Sequence, residues 1–356
     1  MDGPLMLAVQ LTEWGRPPVL RHVPAPEPVG EELVLQVTAA GLCRSDLHVM
    51  DSAAASFDCP LPLTLGHEVA GTVLAAGPDA EPGWLGETVV VHGVWSCEHC
   101  RNCVRGRENY CLRLRPRATG APPAPIGNGL GYHGGLAQAM LVPSARHLVR
   151  TAGLDPVVAA PLTDAGLTAY HAVHEHADLI DAHATCVVIG VGGLGHLGVQ
   201  ILRDMGAGRI LAVDNRADAR AMAVRLGAEA AYHDVDSLRA AVTDGADVII
   251  DFAGAPDTAQ PATRLLAPGG RLTVVGSAGA LIEVGKTVGL AAGWRVTAPF
   301  WGPRADLVAV IDMARRGALH VAATPYPLAE GVEIYRRLRA GDITGRAVLI
   351  PPPLQR

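Results

Sequence analysis

Cys97, Cys100, Cys103 and Cys111 form a C-x2-C-x2-C-x7-C run inside a polar, charged stretch of the chain. Four thiolates in one loop close a tetrahedral shell around zinc with no open position, which is a structural rather than a catalytic site. A ferredoxin run also begins C-x2-C-x2-C, but its last gap is three residues and a proline follows. Here the gap is seven and Leu112 follows. His99 lies among the cysteines, yet four sulfurs suffice, so it is expected to be exposed. The second feature is Gly190-Val-Gly192-Gly193-Leu194-Gly195, set between the apolar run Cys186-Val-Val-Ile and HLGVQILRDMG. A G-x-G-x-x-G turn between strand and helix suits a dinucleotide. The first glycine makes the turn, the second admits the pyrophosphate, and the third lets strand and helix pack. The helix N-terminus offers free N–H groups and a positive dipole end to the phosphates. Asp214 closes the next run, ILAVD, nineteen residues after Gly195. A carboxylate there hydrogen-bonds a ribose 2′-hydroxyl and repels a 2′-phosphate, so NAD is expected over NADP, with Arg216 close by as the counter-indication.

A third group is dispersed: Cys43, Arg44, Ser45, Asp46 and His48 in GLCRSDLH, then His67 and Glu68 in GHE. Singly, such a cysteine is usually core and such a histidine a hydrogen-bonded or surface residue. Together, a thiolate and an imidazole at the ends of β-segments suggest a metal held between loops. A catalytic zinc takes one more protein ligand and leaves a position for substrate. Asp164 in PLTDAGLTAYHAV is a candidate, but Thr163 or Asp164 also reads as a helix N-cap, and the residues alone favour the cap.

The elements that must hold these groups have two textures. Up to about residue 150, short Val-rich strands (ELVLQVTAAG, HEVAGTVLAAG, GETVVVHG, HLVR) are joined by Gly and Pro turns. From about 155, Ala-rich helical stretches alternate with the continuous apolar runs CVVIG, RILAVD, ADVIIDFAG and GRLTVVG. That alternation is the mark of a parallel sheet covered on both faces. A Pro-rich loop follows Trp294, then the helices DLVAVIDMARRG and EGVEIYRRLRAG and a last strand RAVLIPP. The segment APPAPIGNGLG (121–131) is a loop by composition.

At 356 residues the chain suits two domains. With three Phe, five Trp and six Tyr, its core must be built mainly from Ala, Val, Leu and Ile. The net charge of −6 is spread out, without a nucleic-acid footprint or a basic membrane-binding face. The most apolar segment, 186–202, is broken by five glycines and His196, too short and Gly-rich for a membrane helix. No basic stretch precedes an apolar run in the first ten residues, so they do not read as a secretory signal. Clustered cysteines then favour metal over disulfides, and a cytoplasmic enzyme is expected. Cys186 is read as core.

Several independent strings, in order and over nearly the full chain, resemble the zinc-containing medium-chain alcohol dehydrogenases: GLCRSDLH, LTLGHEVAGTV, CxxCxxCxxGxxNYC, PLTDAGLTAYHAV, VVIGVGGLGHLGVQ and TAPFWGPRADL. Within that family they look most like bacterial secondary-alcohol dehydrogenases. The resemblance implies an α/β protein. Residues 1–155 would be a GroES-like β-rich catalytic domain with a structural zinc lobe at about 95–115. Residues 156–298 would be a Rossmann NAD-binding domain with a doubly wound parallel sheet, and 299–356 would return to the first domain. It implies two zinc ions per chain, NAD, a small-molecule alcohol or ketone substrate, and a homodimer or homotetramer.

Carried over position by position, the catalytic zinc ligands fall on Cys43, His67 and Asp164. Many members have Cys where this chain has Asp164, whereas the secondary-alcohol enzymes carry Asp. The formal charge of the ligand set is unchanged, while a harder oxygen donor leaves the metal more Lewis-acidic. Glu68 is implied near the metal but not as a ligand, and Asp46 as the acceptor orienting His67. The proton relay maps onto Ser45, which takes the alcohol proton, and His48, which releases it at the surface by way of the nicotinamide ribose. Arg44 and Arg346 match pyrophosphate contacts. Val275 and Gly276 match positions beside the nicotinamide, and Trp95, Phe300 and Trp301 look like pocket walls.

The chain also departs from the pattern. Many relatives place Lys or Arg five residues after the ribose-binding Asp; here that position is Ala219, with Arg220 beside it, so the adenosine contact is expected to be weaker or to come from Arg216 or Arg220. The stretch SAAASFDCP (52–60) carries small residues and Cys59, which suggests a roomy pocket. The runner-up activity is a polyol, amino-alcohol or biosynthetic-intermediate dehydrogenase on the same scaffold. Zinc-free quinone or enoyl reductases lack this ligand set. A non-catalytic dinucleotide-binding protein would show decayed ligand and relay positions, and here all are filled.

Overall fold

The strand Leu33–Leu42 is almost wholly buried, and it sits inside a seven-stranded sheet because its run LVLQVTAAGL offers apolar side chains to both faces. It pairs antiparallel with Glu68–Ala76, with Ala139–Val142 and with Arg346–Ile350. In this register Gly41 stands opposite both Glu68 and Val348, and Leu42 opposite Ala347. One step further along each chain lie Cys43, His67 and Arg346. Three segments far apart in sequence thus deliver their chemistry to one end of one sheet. The computed structural model describes residues 4–52, 57–114, 122–285 and 291–354. Residues 53–56 of the small-residue stretch, residue 115 at the end of the zinc lobe and residue 121 of the expected loop lie outside these.

The chain divides into two units. The first comprises Met1–Asp164, Pro303–Asp312 and Ala322–Arg356; the second comprises Ala165–Gly302 and Met313–Val321. In the first, the sheet is completed by Thr88–Val91, Leu148–Arg150 and, at its other edge, Ala323–Pro327. A smaller sheet joins Leu5–Leu11 to Val19–Pro24 and Leu63–Thr64. The helix Arg44–Asp51 follows Leu33–Leu42 directly, and Gly331–Ala340 packs against it.

The second unit is the doubly wound sheet expected from the sequence. Its strands are Thr185–Ile189, Arg209–Val213, Ala230–Tyr232, Ala246–Asp251, Leu266–Val274 and Arg295–Thr297, all parallel. Their spatial order is 3-2-1-4-5-6, the dinucleotide-binding order. The core is aliphatic, with Val187, Ile189, Leu211, Ile249 and Leu272 at 3% exposure or less. Gly195–Asp204 is buried along most of its length, leaving its N-terminus at the carboxyl end of the first strand. Cys186 is fully buried in that strand, and burial pushes its thiol up to about 12.

Candidate functional site

Cys43, His67, Glu68 and Asp164 each bring a donor atom into a cluster whose members lie within 4.8 Å of one another. Cys43 Sγ is 3.2 Å from Asp164 Oδ2, and His67 Nε2 is 3.5 Å from the same oxygen. Bonds of 2.0–2.3 Å in a tetrahedral shell imply donor separations of about 3.3–3.8 Å; the nitrogen–oxygen spacing falls in that range and the sulfur–oxygen spacing just below it. The site is buried: His67 is 1% exposed and Cys43 7%. Burial alone would push the His67 imidazole down. The Asp46 carboxylate, with hydrogen bonding to Asp164, Asp46 and Cys43, outweighs it and holds the pKa well above the ordinary histidine value.

Asp46 does its orienting from the first turn of Arg44–Asp51. Its Oδ2 accepts the Cys43 amide N–H at 3.0 Å, and its Oδ1 lies 3.0 Å from His67 Nδ1. The ring is thereby turned so that Nε2 faces Cys43 and Asp164. Tyr335 Oη donates to Asp46 Oδ2 at 2.9 Å from the other end of the sequence. Burial, then the Asp46 carboxylate, raise the Tyr335 phenol well above its usual pKa. Glu68 is fully buried with Oε1 on the Arg346 guanidinium, while Oε2 is buried without a hydrogen-bond partner. A Cβ at Gly41 would overlap Oε2, so only glycine there admits the carboxylate. Arg346, the second expected pyrophosphate contact, is 5% exposed in this pair.

Asp164 reaches the cluster from an unexpected backbone. A helical run begins at Pro156, capped by the Asp155 carboxylate accepting Val157 N–H, and continues to His174. Leu162–Gly166, in its middle, is a π-helical turn. Asp164 therefore does not stand at a helix start, and the cap expected from the sequence belongs to Asp155. Thr163 Oγ1 donates to Ala160 O inside the run. Ser45 Oγ is 3.3 Å from His67 Nε2. Arg44 and His48, on the same short helix, are exposed.

The four cysteines of the second group also lie within 4.8 Å of one another. Cys97 and Cys103 sulfurs are 4.0 Å apart, Cys100 and Cys103 sulfurs 3.4 Å, bracketing the spacing of about 3.8 Å that a zinc–thiolate tetrahedron sets. Backbone amides serve the sulfurs: Cys97 N–H donates to Cys111 Sγ and Leu112 N–H to Cys100 Sγ. The amides of Leu112 and Cys103 hold the Cys100 thiol down to about 6. His99 is exposed, as its surplus to the shell predicts.

In the second unit the three glycines have three distinct surroundings. Gly190 has φ +81° at the turn. A Cβ on Gly192 would meet nothing within 4 Å, which leaves backbone open to a phosphate. A Cβ on Gly195 would collide with Gly190 O. Gly193 and Leu194 complete the turn. Asp214 Oδ2 accepts Val191 N–H at 2.8 Å and Oδ1 accepts Arg216 N–H at 2.9 Å, so this carboxylate also braces the turn it is expected to serve. Arg216 Nε lies 3.4 Å from Oδ1, and Arg220 donates to the Asp214 and Asn215 carbonyls. Val275 and Gly276 follow the strand Leu266–Val274 directly, with both N–H groups on Asp251 O.

Of the expected pocket residues, Trp95 is half-buried against Tyr132 and His147 in the first unit. Phe300 is 38% exposed and meets the buried Trp301 edge-on in the second. Trp301 has φ +52°, a costly conformation for a bulky side chain. Sequence reasoning missed three residues: Tyr335, the Asp251 carboxylate that gathers Ala253, Gly254 and Thr258, and buried His196, whose Nδ1 lies 2.9 Å from Gly192 O. Only His196, beside the glycine motif, carried a local signal.

Comparison with known proteins gives consistent matches. Residues 30–152 match the alcohol dehydrogenase GroES-like domain, and residues 193–316 match the zinc-binding dehydrogenase family. D-arabinose 1-dehydrogenase (NADP(+)) of Saccharolobus solfataricus is 32% identical, with 97% of each chain covered. An NAD-dependent alcohol dehydrogenase of Sulfurisphaera tokodaii is 31% identical over 97% of this chain and 100% of its own. The crystal structure of an alcohol dehydrogenase from Aeropyrum pernix superposes with a TM-score of 0.87 at 29% identity, covering 97% of this chain and 100% of that one.

Proposed function

The chain belongs to the zinc-containing medium-chain alcohol dehydrogenase family, and from that premise we propose that it interconverts secondary alcohols and ketones with NAD+ and NADH. The observation that carries the reading is the convergence of Cys43, His67 and Asp164 on donor spacings suited to one metal, with Ser45 Oγ at 3.3 Å from His67 Nε2. When bound, zinc supplies Lewis acidity toward an alcohol or carbonyl oxygen and NAD supplies the hydride acceptor.

The chain's own residues do the rest. A thiolate, a carboxylate and a neutral imidazole carry two negative charges, which match a divalent cation. Glu68 adds no net charge, because Arg346 neutralises it. This supports Glu68 as a neighbour of the metal and not a fourth ligand. Ser45 Oγ accepts the substrate proton, and His48, exposed three residues along the helix, returns it to solvent. Asp214 and the glycine turn bind the dinucleotide, with Arg44 as the further phosphate contact from the first domain. The first unit (1–164, 303–312 and 322–356) is the catalytic domain and the second (165–302 and 313–321) the coenzyme domain, so the boundaries expected at 155/156 and 298/299 move to 164/165 and 302/303.

The enzyme is a cytoplasmic homodimer or homotetramer; no helix among the described residues is long and apolar enough to cross a membrane. A sugar or polyol substrate is the second reading, favoured by the D-arabinose relative. The test follows NADH absorbance while zinc-replete protein meets secondary alcohols, primary alcohols and polyols with NAD+. Fastest turnover of secondary alcohols supports the proposal; polyol preference selects the second reading, and no NADH from any of them sinks the first reading and the polyol form of the second.

A further inference from the structure

Helix Gly331–Ala340 enters the first unit from the C-terminal part of the chain and packs on Arg44–Asp51. Two of its residues, four apart and so on one face, reach that helix. Arg339 forms a bidentate, half-exposed ion pair with Asp51 at 2.6 and 2.7 Å. Tyr335 is 2% exposed, and its hydroxyl donates to Asp46 Oδ2 at 2.9 Å. Asp46 is fully buried. Its carboxylate gathers the Cys43 amide, His67 Nδ1 and the Tyr335 hydroxyl, so it touches the segments that carry two of the three metal-ligating residues. A buried carboxylate keeps one orientation only while its donors hold it.

We infer that Tyr335 is a positioning residue for the catalytic metal: its hydroxyl fixes Asp46, which fixes the plane of His67 and the start of the Cys43 turn. The inference rests on the assignment of Cys43, His67 and Asp164 as ligands. Arg339–Asp51 secures the same two helices but touches no part of this chain of contacts. The hydroxyl and the helix contact can therefore be separated by substitution.

The experiment loads wild type, Tyr335→Phe and Asp51→Asn with zinc and follows release into a chromogenic chelator. Wild type should give two release phases, one for each donor cluster. Tyr335→Phe should speed one phase about tenfold, the scale of outer-shell changes at metal sites, and leave the four-cysteine phase unchanged. Asp51→Asn should leave both phases at wild-type rates, although it loosens the helix pair. The visible spectrum of the cobalt-substituted protein should shift in Tyr335→Phe and not in Asp51→Asn. Unchanged release and spectrum in Tyr335→Phe would overturn the inference, and so would equal acceleration by Asp51→Asn, which would assign the effect to helix docking. A single zinc in wild type would instead remove the ligand assignment on which the inference stands.

Discussion

Arg346→Ala is the sharpest test of how the active-site end of the sheet is held together. Arg346 and Glu68 side chains are 6% and 0% exposed, and the substitution leaves a carboxylate in a place water does not reach. Glu68 Oε2 has no hydrogen-bond partner even in the intact pair, so little is left to offset the loss. Breaking a buried pair from one side costs about 3–5 kcal/mol. For a unit of this size that is a fall in unfolding midpoint of roughly 6–20 °C. The companion is Glu68→Met/Arg346→Met, which removes both charges and keeps the volume; replacing a buried pair by apolar groups is neutral or stabilising by about 1–4 kcal/mol. The assay is thermal unfolding of zinc-loaded protein at fixed concentration, compared as midpoints because two units and bound metal break a simple two-state treatment. An Arg346→Ala shift below about 2 °C, or a double variant no more stable than the single, would refute the reasoning by showing that the carboxylate finds solvent or another donor.

Three further outcomes are expected. Asp164→Asn should lose the catalytic zinc and activity while the midpoint stays near wild type, since Asp155 and not Asp164 caps that helix; metal analysis still showing two zincs would count against it. Asp214→Ala removes the acceptor for Val191 N–H and Arg216 N–H as well as the ribose contact; lost bonds to a charged acceptor predict about tenfold weaker NAD binding or more, with NADP less affected, and calorimetry giving an unchanged NAD to NADP ratio would exclude the role. Burial, with Arg271 next, holds buried His176 down to about 4, and burial brings His196 to about 4 and, with Arg146 next, His147 to about 3. These folded values lie below the unfolded one of about 6.5, so the unfolded chain binds the extra protons: the stability is whole above pH 6.5 and is lost as pH falls toward 4, by about 1.4 kcal/mol per unit for each histidine. Unfolding midpoints at pH 7.5 and 5 should show the drop, and His176→Gln should make it shallower.

What the sequence disclosed was whatever local spacing encodes. The glycine turn needs its strand before it and helix after it, and all three lie within 185–204. The four-cysteine shell closes within fifteen residues. The buried parallel strands announce themselves because each is apolar on both faces. Contacts that depend on sheet register were silent. Glu68 and Arg346 are 278 positions apart, and Asp46 and Tyr335 are 289. Nothing near Arg346 announces Glu68 as its partner, because a guanidinium reads the same in sequence whatever it pairs with. Tyr335 looks like any apolar-face residue of an amphipathic helix until its hydroxyl is seen to end on Asp46.

Asp164 shows why a ligand can read as a cap. In sequence it follows a proline and a threonine and precedes a run of helix formers, the pattern of a helix start. In the structure the helix is already under way. Pro161 lacks an N–H and its ring crowds the carbonyl four residues back, and the π turn Leu162–Gly166 follows immediately. One extra residue in a turn rotates everything after it by about 100° relative to what came before. Pro156–Pro161 accordingly packs on the strands Leu33–Leu42 and Glu68–Ala76, whereas Leu167–His174 packs on Gly195–Asp204. Asp164 sits in the widened turn, and its carboxylate meets Cys43 and His67.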